Sequence, residues 1–201
     1  MKYKLTNKKI DYLGRTLYQI EAVKKFGNIA KGQKGGFIEK KSNLSQDGNA
    51  WVYNYAMVYG NAKVRDNAKV YDCAMVRGDA VVRGNARVYG DAKVHSAVVR
   101  DNAKVYDCAN VRSAAVVCDN AIVRSNSDYL IIGPIDSHSG TTTFFKTSDK
   151  DNAIKVACGC FTGDIDAFQK KVIKTHGNNN YAKEYKLAIE IAKIHILGKQ
   201  K

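Results

Sequence analysis

The chain has 201 residues, with 33 Lys and Arg against 19 Asp and Glu, giving a formal charge of +14 at neutral pH. A hydrophobic content of 45% excludes wholesale disorder, and the length suits one large core or a rod with a small attached unit. No run approaches the roughly 18 apolar residues of a membrane span, and the start Met1-Lys2-Tyr3-Lys4 lacks the apolar stretch of a secretory leader, so a cytoplasmic location is expected.

The charge is unevenly spread: +7 over residues 1–48, +4 over 49–125 and +3 over 126–201. Such an excess is either solubilising or complementary to an anionic partner: a nucleotide, an acidic protein surface or, less favoured, a nucleic acid.

Residues 1–36 carry strand character at Lys2–Leu5 and Thr16–Ala22, with a turn at Asp11-Tyr12-Leu13-Gly14-Arg15 between them. They are expected to form an amino-terminal β cap, because the open end of a stack of strands invites aggregation unless covered.

From Asn49 the chain reads NAWVYN YAMVYG NAKVRD NAKVYD CAMVRG DAVVRG NARVYG DAKVH SAVVRD NAKVYD CANVRS AAVVCD NAIVRS. Alanine fills the second position of every hexad and an apolar residue the fourth, with one residue missing after His95. Two weaker hexads precede them, so the repeat spans residues 37–125. A six-residue period matches neither an amphipathic helix nor a simple strand and implies a solenoid whose turns bury one another. Small Ala beside Val suits a narrow interior, and Gly, Asn and Asp suit its corners.

The pattern also recurs every eighteen residues, which predicts three hexads per turn and stacks Asn49, Asn67, Asn85, Asn102 and Asn120 in one column. The outward fifth positions then sort into Tyr53, Tyr71, Tyr89 and Tyr106 on one face, Tyr59, Arg77, His95 and Arg112 on a second, and Arg65, Arg83, Arg100 and Cys118 on a third. Like charges along the arginine column repel unless an anion intervenes. Asp66, Asp101 and Asp119 supply one locally, and Arg83 and Arg100 are also candidates to meet an anionic ligand. Val81, Val98 and Val116 make an apolar stripe beside them, either an oligomer interface, with a homotrimer favoured, or the seat of carboxy-terminal helices.

After Ser125 the period stops. Residues 126–201 read as an α+β module: strands at Tyr129–Ile132, Thr142–Lys146 and Ala153–Phe161, then a helix over Asp164–His176 capped by Asp164 and stopped by Gly177. A second helix, Tyr181–Ile196, places Tyr185, Ala188, Ile191, Ala192 and His195 along one side.

This module also holds the candidate ligand site. The turn around Ser137, Ser139 and Thr141 is crowded with hydroxyls able to meet phosphate or carboxylate oxygens. Thr162 and Gly163 precede a helix, whose amino end favours an anion. His176 adds charge or a hydrogen bond, and Tyr181 and Tyr185 offer rings for a base. The plainer alternative is that these are turn formers and core tyrosines. Five cysteines at irregular spacing argue for structural, buried thiols, and Cys158 and Cys160 would point to one face of a strand. No histidine stands at metal spacing, and neither a metal nor a cofactor is expected. Asp136, Ser137 and His138 are adjacent in sequence, which rarely makes a hydrolytic triad.

The Val and Ala repeat resembles the hexapeptide-repeat family, which implies a left-handed parallel β-helix. The segments Gly35-Gly36-Phe37-Ile38-Glu39, Asn43-Leu44-Ser45 and Trp51-Val52-Tyr53 are similar to those of a group of phage and prophage hexapeptide-repeat proteins. So are Gly133-Pro134-Ile135, Cys158-Gly159-Cys160-Phe161-Thr162-Gly163, Thr175-His176-Gly177 and Glu184-Tyr185. The resemblance implies a phage context, hence host cytoplasm, without a settled activity. Family acyltransferases use a histidine base and coenzyme A between rods, a role only His95 could fill here; the three-histidine carbonic anhydrases find no match on the coils. The expected function is a non-catalytic phage protein that binds an anionic host component, a nucleotide immune signal that it sequesters. The alternatives are an acyltransferase using acetyl-coenzyme A and a protein-binding inhibitor of host defence.

Overall fold

The structure is a computed structural model that describes residues 1–135 and 139–198. It is mainly β: a solenoid of about five turns followed by a four-stranded sheet and two helices.

The first face of the solenoid stacks β4 (Trp51–Val52), β7 (Lys69–Val70), β10 (Arg87–Val88), β13 (Lys104–Val105) and β16 (Ile122–Val123) in parallel. The second stacks β3 (Lys34–Ile38), β5 (Met57–Val58), β8 (Met75–Arg77), β11 (Lys93–His95) and β14 (Asn110–Arg112). The third stacks β6 (Lys63–Val64), β9 (Val81–Val82), β12 (Val98–Val99) and β15 (Val116–Val117). Val52 pairs with Val70, Val70 with Val88, Val88 with Val105 and Val105 with Val123, so the eighteen-residue period is the climb of one turn.

Each strand turns only its fourth-position residue inward, and the second-position alanine lines the interior beside it. The second-position alanines and fourth-position valines from Ala50 to Val123 are at most 2% exposed. The corners need a backbone that most side chains resist: Asp66, Asp72, Asp101, Asp107 and Asp119 all have φ between 53° and 62°, a region that Asp, Asn and Gly tolerate best. Their carboxylates then bind the next turn. Asp66 accepts from the Gly84 N–H at 2.9 Å and Asp72 from the Gly90 N–H at 3.2 Å. The asparagine column forms as expected, with Asn49 donating to Asn67 at 3.1 Å, Asn67 to Asn85 at 3.2 Å and Asn85 to Asn102 at 3.1 Å. The arginine column also stacks in register through Val64, Val82 and Val99. At the deletion, His95 stays level with Arg77 and Arg112, and Val98 with Val81 and Val116. Ser96 and Ala97 therefore round a corner that takes Gly78, Asp79 and Ala80 one turn below, with Ser96 at φ 48°.

At the amino-terminal end, β1 (Tyr3–Tyr12) and β2 (Arg15–Ala22) pair antiparallel, and β2 continues onto β3. The two predicted strands are thus present, with β1 longer than expected because it runs on to the Leu13-Gly14 turn. Trp51 is fully buried, met edge-on by Tyr3 and Phe26. Gly35 is needed there: a Cβ would stand 2.5 Å from the Val52 carbonyl and 2.8 Å from the Trp51 ring.

At the other end, β17 (Tyr129–Ile135), β18 (Gly140–Lys146), β19 (Ile154–Cys158) and β20 (Phe161–Asp164) form an antiparallel sheet. β20 is a strand that sequence reading merged into its neighbour. The sheet joins the last turn through Thr143 Oγ1, which accepts from the Val116 N–H at 3.0 Å, and the Asn120 carbonyl, which accepts from the Ser148 N–H at 3.3 Å. Helix α1 (Ile165–His176) and helix α2 (Asn180–Leu197) pack on this sheet, not on the valine stripe, which corrects that alternative. Helix α2 is also rotated from the expected face. It buries Tyr185, Ala188, Ile189, Ala192 and Ile196, while Ile191 is 52% exposed and His195 is exposed. Two apolar stripes share this helix, and the one carrying Ile189 and Ile196 fits the sheet.

Two outcomes follow from the interior and from Lys2. Ala86→Leu adds bulk to a filled interior and should lower stability by about 1–3 kcal/mol in urea unfolding. The buried Lys2 ammonium donates to the carbonyls of Ala50 at 2.9 Å and Asp47 at 3.3 Å, and burial lowers its pKa to about 8 despite the pull of Asp47. Unfolding restores the ordinary 10.5, so between these values the unfolded chain holds more protons and stability rises with pH. Unfolding free energy measured against Lys2→Met should therefore shift in favour of the native chain from pH 8 to 10.5.

Candidate functional site

The first face of the rod carries two parallel columns. Third positions point outward and give Lys69, Arg87 and Lys104; fifth positions give Tyr53, Tyr71, Tyr89 and Tyr106. Tyr71 and Tyr89 stack with centroids 4.9 Å apart and planes 5° from parallel, and Tyr89 and Tyr106 at 4.7 Å and 3°. These distances are those of adjacent strands, so the backbone ladder itself sets the ring spacing. Tyr53 breaks the series. It leans onto the core and meets Tyr71 edge-on at 6.1 Å and 83°. The break opens a groove of about 290 Å³ lined by Tyr53, Asn54, Lys69, Tyr71 and Arg87.

Burial raises the phenol pKa values of Tyr53, Tyr71 and Tyr89 above the ordinary 10. At Tyr71 the Arg87 guanidinium works against that rise. The rings are therefore neutral donors at physiological pH, and the charge of the groove comes from Lys69 and Arg87. The nearest corner acid, Asp72, already accepts from the Gly90 N–H and from Asn54 at 3.4 Å. Sequence reading traced the fifth position of this face and missed the third; reading that position at the same eighteen-residue interval would have found the cations.

The residues expected to build a site in the carboxy-terminal module are divided. Ser137 lies outside the described residues, as do Asp136 and His138. Ser139 and Thr141 are exposed at the turn end of β18. His176, Tyr181 and Tyr185 do come together, with the His176 ring 5.7 Å from Tyr181 and 5.9 Å from Tyr185. Tyr185, however, is a core residue at 2% exposure, its ring edge-on to Phe168 at 5.3 Å, which corrects its role as a stacking platform. A hollow of about 380 Å³ lies beside this cluster, lined by Cys158, Cys160, Phe161, Lys171 and His176. It sits at the carboxy end of α1, where the helix dipole is negative and disfavours an anion.

Thr162 and Gly163 belong elsewhere. The amino end of α1 is already filled by the Asp164 carboxylate, which accepts from the Ala167 N–H at 2.7 Å. A helix of 12 residues separates that end from His176 by about 18 Å, so the two halves of the expected site never meet. Alternation along β20 sends Phe161 toward Phe168 and Thr162 toward the rod. There Thr162 accepts from Arg100 at 3.2 Å, Arg100 pairs with Asp101 at 2.5 Å, and Lys155 pairs with Asp119 at 3.3 Å. Arg100 is thus committed to joining module and rod, while Arg83 stands half-buried in its column. Asp101, Cys118 and Asp119 group within 4.8 Å, but both carboxylates have cation partners and burial pushes the Cys118 thiol up to about 11. His95 sits half-buried against Gly78 in the second-face column.

Of the cysteines, only Cys118 is buried; Cys73, Cys108 and Cys160 are exposed and Cys158 is half-buried, which corrects the expectation of buried thiols. Gly159 turns the chain at φ 56°, so Cys158 ends a strand and Cys160 lies in the hairpin turn rather than beside it on one face. Among the described residues no helix is long and apolar enough to cross a membrane. No protein-family model matches the chain, and no curated protein matches it.

The joint between rod and module is testable. A double-mutant cycle on Arg100→Ala and Thr162→Ala should give a coupling of about 0.5–1.5 kcal/mol in urea unfolding, and additive effects would show that the contact contributes nothing.

Proposed function

We propose that the protein is a non-catalytic binder of an anionic small molecule and that the first face of the rod receives it. The observation that carries this reading is the break at Tyr53, which opens an aromatic groove beside two cations, Lys69 and Arg87, that stand in no salt bridge among the described residues. A ring can rest on a tyrosine face while Lys69 and Arg87 meet phosphate oxygens, so a nucleotide is the ligand class that suits the groove. Neighbouring copies of the pattern up the rod, with Arg87 and Lys104 beside stacked rings, would accommodate a second phosphate.

The sequence resemblance extends the proposal. A left-handed coil, a phage origin and sequestration of a nucleotide immune signal in the host cytoplasm form one consistent account, and the half-buried Val81 and Val98 stripe suits a homotrimer. None of these is needed for the groove to bind.

Calorimetry with a panel of cyclic nucleotides, ADP-ribose, ATP and acetyl-coenzyme A tests the reading. At least one nucleotide should bind, more weakly as salt rises, and Tyr71→Ala or Arg87→Ala should weaken it by roughly tenfold or more, about 1.4 kcal/mol. The melting temperature should change little. A combined Ser139→Ala and His176→Ala variant should bind as the native protein does. The reverse pattern, binding lost in that variant and kept without Arg87, would return the site to the module, and preference for acetyl-coenzyme A would favour the acyltransferase.

A further inference from the structure

Helices α1 and α2 leave a groove of about 470 Å³ between them, lined by the two helices and their connecting turn and by no residue of the sheet. Its floor is apolar: Val172, Tyr185 and Ile189 reach it from the buried faces of the two helices at 7%, 2% and 1% exposure. Ile173 stands at its edge with 61% of its surface exposed. Lys183 and Lys186 line the α2 side, and Gly177 and Asn178 close one end where the chain turns between the helices. From Ala182 to Ile189 the groove follows about two turns of α2, roughly 10 Å.

Two features define what fits. An apolar floor with an exposed isoleucine at its edge favours aliphatic or aromatic anchors, as grooves that take amphipathic helices do. The charged side chains that line it are positive: two lysines and no acid. The nearest acid along α2, Glu184, is exposed beside Lys183 and does not line the groove, and Glu190 pairs with Lys193 at 3.1 Å. Over residues 165–197 the pair of helices carries six lysines and three acids. That excess, on a chain of net charge +14, disfavours a second copy of the protein as occupant and favours an acidic one.

We propose that the groove between α1 and α2 is a docking site for an acidic amphipathic helix of a partner protein, its apolar side chains one turn apart meeting Ile173 and Ala182 above the buried floor and its carboxylates facing Lys183 and Lys186. This surface lies on the module and is independent of the rod face that takes the small anion. The protein on this reading has two ports for negatively charged ligands, one for a small molecule and one for a peptide segment.

Fluorescence anisotropy on the full chain tests it with a labelled, helix-forming peptide of glutamates and leucines whose leucines recur every turn. The control is the same composition with the leucines scattered. The patterned peptide should bind at least roughly tenfold more tightly than the scattered one. Lys183→Glu combined with Lys186→Glu should weaken it by a similar factor, as should Ile173→Ser, all at exposed positions where melting temperature should hold. Lys69→Ala should leave it unchanged, which separates this groove from the rod face. Equal binding of the two peptides would mean that net charge alone attracts them and would overturn the proposal. So would full binding by the double lysine variant, or light scattering in which the free protein dimerises and Ile173→Ser makes it monomeric, which would assign the groove to a second copy.

Discussion

The stacking of valine on valine through the interior governs everything displayed outside. Because each strand pairs with its copy one turn away, a side chain's column is decided by its remainder after division by the turn length, and its height by the strand spacing. The parallel tyrosine rings need no attraction of their own to lie where they do. The interior brings them to contact distance, and their mutual stacking then adds to a position already set. The same rule brings Lys69, Arg87 and Lys104 to the same spacing although they repel, so interior packing outweighs the cost of aligning like charges.

This arrangement explains which parts of the molecule were legible beforehand. The hexads, the eighteen-residue climb, the asparagine ladder and the short corner at Ser96 could be read because each depends only on local position in a repeat. The tilt of Tyr53 could not, because the repeat sets where a ring's backbone lies and not how the ring turns at the end of its column. The module was harder still. Asp164 was recognised as a cap, yet its consequence, that the helix end then has no vacancy for an outside anion, emerged only with the hydrogen bond to Ala167 in place. Thr162 and His176, fourteen positions apart in sequence, looked like one cluster until strand alternation and helix length separated them. Helix α2 has apolar residues on two sides, and periodicity alone had no means of telling which one faces the sheet.

The rod and the module divide the chemical labour in a way their construction dictates. A regular coil presents rows, suited to extended or repetitive charge, and acquires an individual site only where the regularity lapses at its first turn. The module has no repeat and builds its hollows from helices crossing a small sheet. Arg100, Thr162, Lys155 and Asp119 bind the two parts through side chains at the last turns, so the module's orientation is linked to the top of the rod while the Tyr53 groove lies at its foot.

The buried indole of Trp51 has a consequence for observing the molecule. It is the only tryptophan in the chain, and Tyr53 follows two residues later, just past the end of its strand, at the foot of the tyrosine column. Light absorbed by the stacked phenols can pass from ring to ring and drain to that indole, which makes the rod a small antenna with its emitter beside the groove. Whatever displaces or covers Tyr53 would alter the coupling between stack and emitter, so the protein carries its own optical reporter of occupancy, with no dye attached.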